Sequence, residues 1–455
     1  DNNRLTYSQL RENADKLAIG LAGLGVKKGD CVLVQLPNWC EFAYTFFALQ
    51  KIGAPAVLLL TRHMQVEINL LCELTKAKTW IVPVKYRNTD YHPVINDVVK
   101  ENPELNHIIT VRSSENEQYI NLEDLISSPD PDEQMLKELS WQKPDADEIS
   151  FIIPTGGTTG LSKVVPRTHN SAVCEARYKA EARNQDTDDI CLISVPLEHN
   201  LGLATMTSTI YSSGKIVFLD STRPVDFYDT VQREKVTCAP LVPTLLSRLV
   251  NFSDINHFDT SSLAALYTGG AKTTADVIRS VYEKIGRVYV SAFGMSEGPT
   301  CTTRQDDNDD TIFNTIGKPC CPHDEFKVVD TYGRELPRGT EGELIVKGPG
   351  MFSGYFNNQE ENRRAFTSDG FFITGDLALI ENSGNIRITG RKKDIIIRGG
   401  ENISPSEIEA MIIAHPCIAD VAVIGIPYEE MGERICAYIQ PGGKTPPTFE
   451  DIIAY

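Results

Sequence analysis

The stretch Thr155-Gly156-Gly157-Thr158-Thr159-Gly160-Leu161-Ser162-Lys163 has the composition of a loop that wraps a phosphate chain. Its glycines let the backbone turn with several N–H groups facing one point, its hydroxyls add donors, and Lys163 brings a full positive charge. It directly follows the apolar run Ile149-Ser150-Phe151-Ile152-Ile153-Pro154, as a loop leaving a buried strand would. The Walker spacing is absent: Leu161 stands where the second glycine belongs, and Lys163 lies beyond Gly160 rather than beside it. A flexible Gly/Thr surface turn has the same composition, so other residues must decide.

Further candidates lie downstream. Gly294-Met295-Ser296-Glu297-Gly298 fits the G-x-S-x-G elbow of serine hydrolases, with Ser296 as nucleophile. An elbow needs a helix directly after its serine, and Pro299 followed by the acidic run Asp306 to Asp310 offers none. The same segment presents Phe293 as an aromatic face for a base and Glu297 as a ligand for a hard cation, or else a core aromatic and a solvated glutamate. Asp376, in Thr374-Gly375-Asp376, could accept two hydrogen bonds from a ribose diol or be an ordinary turn aspartate. Arg391 suits phosphate or sugar oxygens, or is a surface charge beside Lys392 and Lys393. His199, in Pro196-Leu197-Glu198-His199-Asn200, taken alone reads more readily as a satisfied structural histidine than as a catalytic one.

The elements that must position these residues alternate in type. Thr6-Tyr7-Ser8-Gln9 has the capping-box form, and Leu10, Ala14, Leu17, Ala18, Leu21 and Leu24 keep a helical period as far as Gly25. Strands are predicted over 31–36, 54–60, 80–82, 107–111, 191–195, 215–219, 263–267 and 287–293, and helices over 41–52, 67–77, 225–235 and 274–285. The resulting α/β chain implies largely parallel sheets covered on both faces, with ligand loops after the carboxyl ends of strands. From Phe326 to Val346, short strands with Gly-rich turns predict a small β-barrel. The charged segment Arg391-Lys392-Lys393-Asp394 divides a large domain, 1–393, from a partial α+β C-terminal domain, 394–455.

At 455 residues, with 41% hydrophobic and 23% charged residues, the chain is expected to be globular with more than one lobe. A net charge of −18 argues against sequence-independent binding to nucleic acid or to an anionic membrane. Eleven cysteines without a CxxC pair read as buried thiols of a reducing cytoplasm. No apolar run approaches the ~18 residues of a membrane span. The opening Asp1-Asn2-Asn3 leads straight into a helix and Tyr455 closes on an unfinished pattern, as in a piece of a longer polypeptide.

Taken in order, TGGTTGLSK, TGGAK, FGMSEG, GYFNN, FITGDL and GRKKDIIIRGGENISP resemble the signature blocks of the adenylate-forming superfamily, which includes acyl-CoA synthetases, luciferases and nonribosomal peptide adenylation domains. Within it, Val34-Gln35-Leu36-Pro37-Asn38, Pro166-Arg167-Thr168-His169-Asn170, His199-Asn200, Gly269-Gly270-Ala271-Lys272 and Gly432-Glu433-Arg434 are most similar to the stand-alone aryl acid adenylating enzymes of siderophore pathways, the 2,3-dihydroxybenzoate–AMP ligases.

The resemblance implies two half-reactions: a carboxylic acid and ATP give acyl-AMP and pyrophosphate, and a phosphopantetheine thiol, on an aryl or peptidyl carrier protein or on CoA, then takes the acyl group. It implies that Thr155 to Lys163 hold the β- and γ-phosphates, with Thr158, Thr159 and Lys163 the main donors, and that Glu297 carries Mg2+. Gly269, Gly270, Ala271, Phe293, Gly294, Met295 and Ser296 would surround adenine, and Asp376 and Arg391 would fix the ribose. Asp394 matches the hinge, and Gly399 and Gly400 would then line the thiol's path. The adenylating lysine of the family falls beyond Tyr455, so the chain as written is expected to bind nucleotide and adenylate poorly.

For the acid, the resemblance points to His199, Asn200, Leu201, Thr205, Thr268, Gly270, Ala292 and Thr300. Asn200 stands where amino-acid-activating relatives carry aspartate, and a neutral amide suits a hydroxyl or ring nitrogen better than an ammonium. Leu201, Thr205, Ala292 and Thr300 depart from the dihydroxybenzoate pattern. A hydroxybenzoate, a heteroaryl acid or another small carboxylic acid therefore stays open, as does an acyl-CoA synthetase.

Overall fold

The computed structural model describes residues 3–113, 118–127, 135, 143–155, 163–398, 401–403, 405–413, 415, 417–428, 432–442, 447–448 and 451–452. The alternating runs build two seven-stranded sheets. Across its width the first contains Ile120–Asn121, His107–Val111, Thr79–Pro83, Val32–Val34, Ala56–Leu58, Ile149–Thr155 and Lys163–Thr168. All its neighbours are parallel except the last two strands, which form a hairpin. Helices cover both faces, so Val32, Leu33 and Val34 are all buried and the strand reads as a continuous apolar run rather than an alternation. The hairpin sets Thr155 opposite Lys163. The two ends of the expected phosphate loop are thus side by side, while Gly156, Gly157, Thr158, Thr159, Gly160, Leu161 and Ser162 lie outside the described residues.

The second sheet is ordered Lys215–Phe218, Ile190–Ile193, Cys238–Leu241, Ala265–Thr268, Tyr289–Gly294, Thr300–Thr302 and Lys318–Pro319. Its first five strands are parallel and the last two antiparallel. One hydrophobic cluster runs from Leu17 and Leu49 through Phe151 and Leu203 to Ile193 and Val290, so the two sheets share a core. Helix Asn200–Tyr211 lies in that core, and residues on most of its circumference are buried, including Gly202, Leu203, Thr205, Met206 and Thr209. A helix with no wet face has no amphipathic stripe, which is why periodicity did not predict it. Helix His169–Ala182 is also absent from the pattern, because its buried face carries Glu175 and Lys179 as well as Ala176 and Ala180.

The region expected to be a small barrel contains a four-stranded antiparallel sheet, Glu325–Val329, Gly342–Lys347, Phe372–Ile380 and Ile386–Arg391, with register shifts near Glu343 and Leu377. Beyond the 3-10 turn Lys392–Asp394, strands Glu401–Ile403, Ile396–Arg398, Gly432–Pro441 and Ile418–Tyr428 form a second four-stranded sheet, accompanied by helix Pro405–Ile413. No helix among the described residues is long and apolar enough to cross a membrane.

Asn38 joins the two sheets directly. Its Nδ2 donates to the carbonyls of Val195 at 2.9 Å and Ile193 at 3.3 Å, and its Oδ1 accepts from the backbone N–H of Leu197 at 3.1 Å. Those three groups open the loop that carries His199 and Asn200. Asn38→Ala leaves a buried N–H and carbonyl without partners and is expected to destabilise the protein by roughly 2–4 kcal/mol. Urea unfolding of the variant against the parent measures this; a change under about 0.5 kcal/mol contradicts the role given to Asn38.

Candidate active site

The strands of the second sheet end in register, with Leu241 beside Thr268 and Thr268 beside Ser291. The loops that follow them, 194–200, 269–274 and 295–299, therefore emerge together, as open α/β sheets require of a ligand site. Gly269 is pressed against the neighbouring strand so closely that a Cβ would come within 2.6 Å of the Ala292 carbonyl oxygen. Gly270 follows with φ +91, so two successive glycines let the backbone lie flat along the strand that bears Ala292 and Phe293. Phe293 is half-buried and packs against the core of the antiparallel lobe with Val328, Leu344 and Val346. The Met295-Ser296-Glu297 loop continues into strand Thr300–Thr302, not a helix, so a nucleophile elbow at Ser296 lacks its structural support.

Glu297 belongs to a chain of side chains that ends at the phosphate hairpin. Tyr355 donates its hydroxyl to Glu297 Oε1 at 2.9 Å, and the Glu297 carbonyl accepts from the Phe352 N–H at 2.7 Å. Burial and the neighbouring Glu297 push the Tyr355 phenol up, so it remains a proton donor. Lys163 Nζ sits 4.8 Å above the Tyr355 ring and pairs with Glu361. Across this stretch, Asp376 lies opposite Arg391 in the strand ladder. Arg391 Nε contacts Asp376 Oδ1 at 2.9 Å, while Asp376 Oδ2 is buried without a hydrogen-bond partner. Burial raises the Asp376 carboxyl above the ordinary range against the pull of Arg391, and the charges of Glu297 and Asp394 act in the same direction. One carboxyl oxygen is therefore held and the other is open to a donor.

At the other end of the loops, Asn200 is buried at the first turn of helix Asn200–Tyr211, with His199 exposed as its N-terminal flank. Partial desolvation, then Arg62 and His63, keep the His199 imidazole below the usual range. Asn200 Nδ2 donates to the Met295 carbonyl at 3.1 Å and to Glu175 Oε1 at 3.2 Å, and its Oδ1 is buried without a partner. Leu201 and Ala292 both border the shared core. The Thr205 hydroxyl donates to the Leu201 carbonyl at 2.7 Å, one turn back in its helix, whereas the Thr268 hydroxyl comes only within 3.5 Å of the Leu266 carbonyl. Thr300 is buried beside Gly294.

Four further participants were not singled out from sequence. Tyr355, inside GYFNN, and Arg167, inside PRTHN, stood within recognisable blocks; Glu175 and Glu361 had no such marker, and no element was predicted at either. Among the described residues no cluster of three or more His, Cys, Asp or Glu could hold a metal by itself. A single half-buried carboxylate, Glu297, fits Mg2+, which keeps most of its waters and binds through one or two carboxylates together with substrate phosphates.

The AMP-binding enzyme family matches residues 1–356, and the AMP-binding enzyme C-terminal domain matches residues 407–455. The chain is 36% identical over 451 residues to the 2,3-dihydroxybenzoate-AMP ligase of Bacillus subtilis, covering 99% of this chain and 82% of the relative. It is 32% identical over 458 residues to the salicyl-AMP ligase / salicyl-S-ArCP synthetase of Mycobacterium tuberculosis, covering 99% and 79%. Its fold is similar to that of apo MbtA from Mycobacterium smegmatis, with a TM-score of 0.78 and 32% identity over 100% of this chain and 83% of the other.

Glu198, next to His199, is 2% exposed and is pushed by burial from 4.5 up to about 8, with the Asp220 charge adding to the rise and backbone N–H groups and Arg62 opposing it. Between those two values the folded protein keeps a proton that the unfolded chain has lost, so stability falls as pH rises through this window. Glu198→Gln removes the titration. Between about pH 5 and pH 8 its stability is expected to decline less than the parent's, by on the order of a few kcal/mol. Urea unfolding at both pH values checks this, and parallel declines contradict it.

Proposed function

We propose that this chain, which belongs to the AMP-binding enzyme family and is an adenylate-forming ligase, activates a small aryl carboxylic acid as its acyl-adenylate and passes it to a phosphopantetheine thiol of a carrier protein. In the first step an oxygen of the acid carboxylate attacks the α-phosphate of ATP, forming the acyl–phosphate bond and expelling pyrophosphate. In the second the thiol attacks the acyl carbonyl, forming a thioester and releasing AMP. Such transfers belong to siderophore or nonribosomal peptide assembly, and the relatives' names support that setting.

The difficulty in the first step is bringing one anion against another, and it calls for positive charge and fixed alignment. Lys163 would ground the β- and γ-phosphates at the mouth of the hairpin, exchanging Glu361 for phosphate oxygens. Glu297, aligned by Tyr355, would hold Mg2+, whose charge offsets that of the phosphates. Asp376 Oδ2 would accept from a ribose hydroxyl while Arg391 steadies Oδ1. Gly269, Gly270 and Ala271 against Phe293 would take the adenine. Asp394, in the turn that links the two antiparallel sheets, would be the hinge between a large domain, 1–393, and the mobile C-terminal domain.

The observation that carries the aryl-acid reading is Asn200. It is neutral and buried, with an acceptor oxygen that has no partner, and the nearest carboxylate, Glu175, already faces Arg167 and Lys179. An α-amino acid would bring an ammonium with no acid to meet it, whereas an acid with a neutral hydroxyl or N–H donor completes the site.

ATP–pyrophosphate exchange by the full-length protein that contains this chain, run against a panel of small acids, tests the reading. Exchange is expected with a hydroxybenzoate or heteroaryl acid; exchange confined to aliphatic acids rejects it, and thioester formation on CoA rather than a carrier protein rejects the acceptor. In the same assay Asp376→Asn is expected to raise KM for ATP by about tenfold with little change in KM for the acid.

A further inference from the structure

The acid end of the site rests on a buried ionic cluster that none of the expected roles includes. Arg167 is 0% exposed, Lys179 4% and Glu175 6%. Arg167 Nη2 lies 3.1 Å from Glu175 Oε2, and Lys179 Nζ lies 3.1 Å from Glu175 Oε1. Burial opposes the charge on Glu175, but Lys179 and Arg167 together outweigh it and the carboxylate stays ionised. An ionised carboxylate is a pure acceptor, so the group of Asn200 that faces it must be the amide nitrogen. The Met295 carbonyl, also a pure acceptor, faces the same nitrogen. Two independent acceptors therefore fix the amide in one of its two orientations, with Oδ1 turned the other way and left without a partner.

We propose that Glu175 is a positioning residue for acid selection: locked by Arg167 and Lys179, it holds the Asn200 amide so that the site presents an acceptor, and so selects acids that carry a donor next to the carboxylate. This rests on the aryl-acid reading above. Glu175 itself does not touch the acid. Its contribution is to add a charged acceptor to the Met295 carbonyl, so that a flipped amide would set its oxygen against two acceptors at once. The cluster also fixes the floor of the site. Arg167 Nη1 donates to the Ser296 carbonyl at 3.2 Å and Nη2 to the Gly350 carbonyl at 2.7 Å, so the loop that contributes Met295 is held by the same charges.

The test compares 2-hydroxybenzoate, which has the donor, with benzoate, which lacks it, in ATP–pyrophosphate exchange by the full-length protein. In Glu175→Gln the side chain at 175 carries both a donor and an acceptor, so only the Met295 carbonyl still opposes the flipped amide. The ratio of kcat/KM for 2-hydroxybenzoate over benzoate is expected to fall by about tenfold, through KM for the acid, while KM for ATP is unchanged. Glu175→Asp keeps a buried negative charge for Arg167 and Lys179 but draws the carboxylate one methylene back from Asn200 and Lys179 alike, and provides a charge-conserving second variant with the same expected loss of preference. A role in folding alone would lower thermal stability and the activity toward both acids in proportion. If the parent enzyme prefers 2-hydroxybenzoate and both variants keep its ratio, the positioning role is overturned while the aryl-acid reading stands. If the parent enzyme exchanges no aryl acid, both are overturned.

Discussion

A guanidinium with no access to water must find every acceptor inside the protein, and Arg167 does so in separate segments of the chain. Its Nε donates to Ser171 Oγ, Nη1 to the Ser296 carbonyl, and Nη2 to the Gly350 and Ser171 carbonyls, while Nη2 also pairs with the Glu175 carboxylate. The loop after the strand Tyr289–Gly294, the loop before Tyr355 and the helix His169–Ala182 are therefore positioned by one planar group whose donor directions are fixed. Lysine could not replace it, because a single ammonium cannot address three directions in one plane. Glu297 inherits its place from this arrangement: its own carbonyl binds the Phe352 N–H just beyond Gly350, and its carboxylate meets Tyr355.

Charge balance explains why so many ionisable groups are tolerated there. Arg167 and Lys179 are two buried cations against one carboxylate at Glu175, a combination that leaves an uncompensated charge in low dielectric. Asp324 supplies the second acid. It is half-buried beside Gly348 and pushed by burial up to about 6, against a hydrogen bond with Cys321, while the Glu175 charge raises it further and Arg167 pulls it down. Burial also lowers the Lys179 ammonium, against the pull of Glu175, which eases the same imbalance. Removing any one of these groups leaves the others exposed to the desolvation cost, so the cluster behaves as a unit rather than as separate ion pairs.

The parts of this fold that were legible in sequence are those in which local pattern and tertiary setting agree. The first helix begins at Thr6 with the capping box its sequence spells, and the strand His107–Val111 has the expected bounds. The signature blocks gave the order of the site loops because each combines glycines and polar residues that a buried strand or helix would not tolerate. What could not be read was contact between distant segments. Glu175 carries no signal of its own in sequence, and only the helix His169–Ala182 presses it against Arg167; Thr205 stands out only as a departure from the dihydroxybenzoate pattern, and its Oγ proves to be bonded to Leu201 O. Helix Asn200–Tyr211 was missed for the opposite reason: immersion in core erases the alternation of faces on which helix recognition depends.

The two ends of the site differ in stiffness, and the difference follows from exposure. At the proposed acid end, Arg167, Glu175, Lys179 and Asn200 are all buried, so moving any of them disrupts more than one buried polar contact at once. At the phosphate end the side chain of Lys163 is 43% exposed and that of its partner Glu361 27%, and Arg391 is 54% exposed opposite a buried Asp376. Ion pairs with that much solvent contribute at most about 1 kcal/mol each and exchange partners readily. Under the proposed function, a ligase that selects its acid yet takes up ATP and lets pyrophosphate go in each turnover would draw on this asymmetry: the proposed acid site lies where two sheets share a core, and Lys163 lies on a hairpin at the edge of one of them.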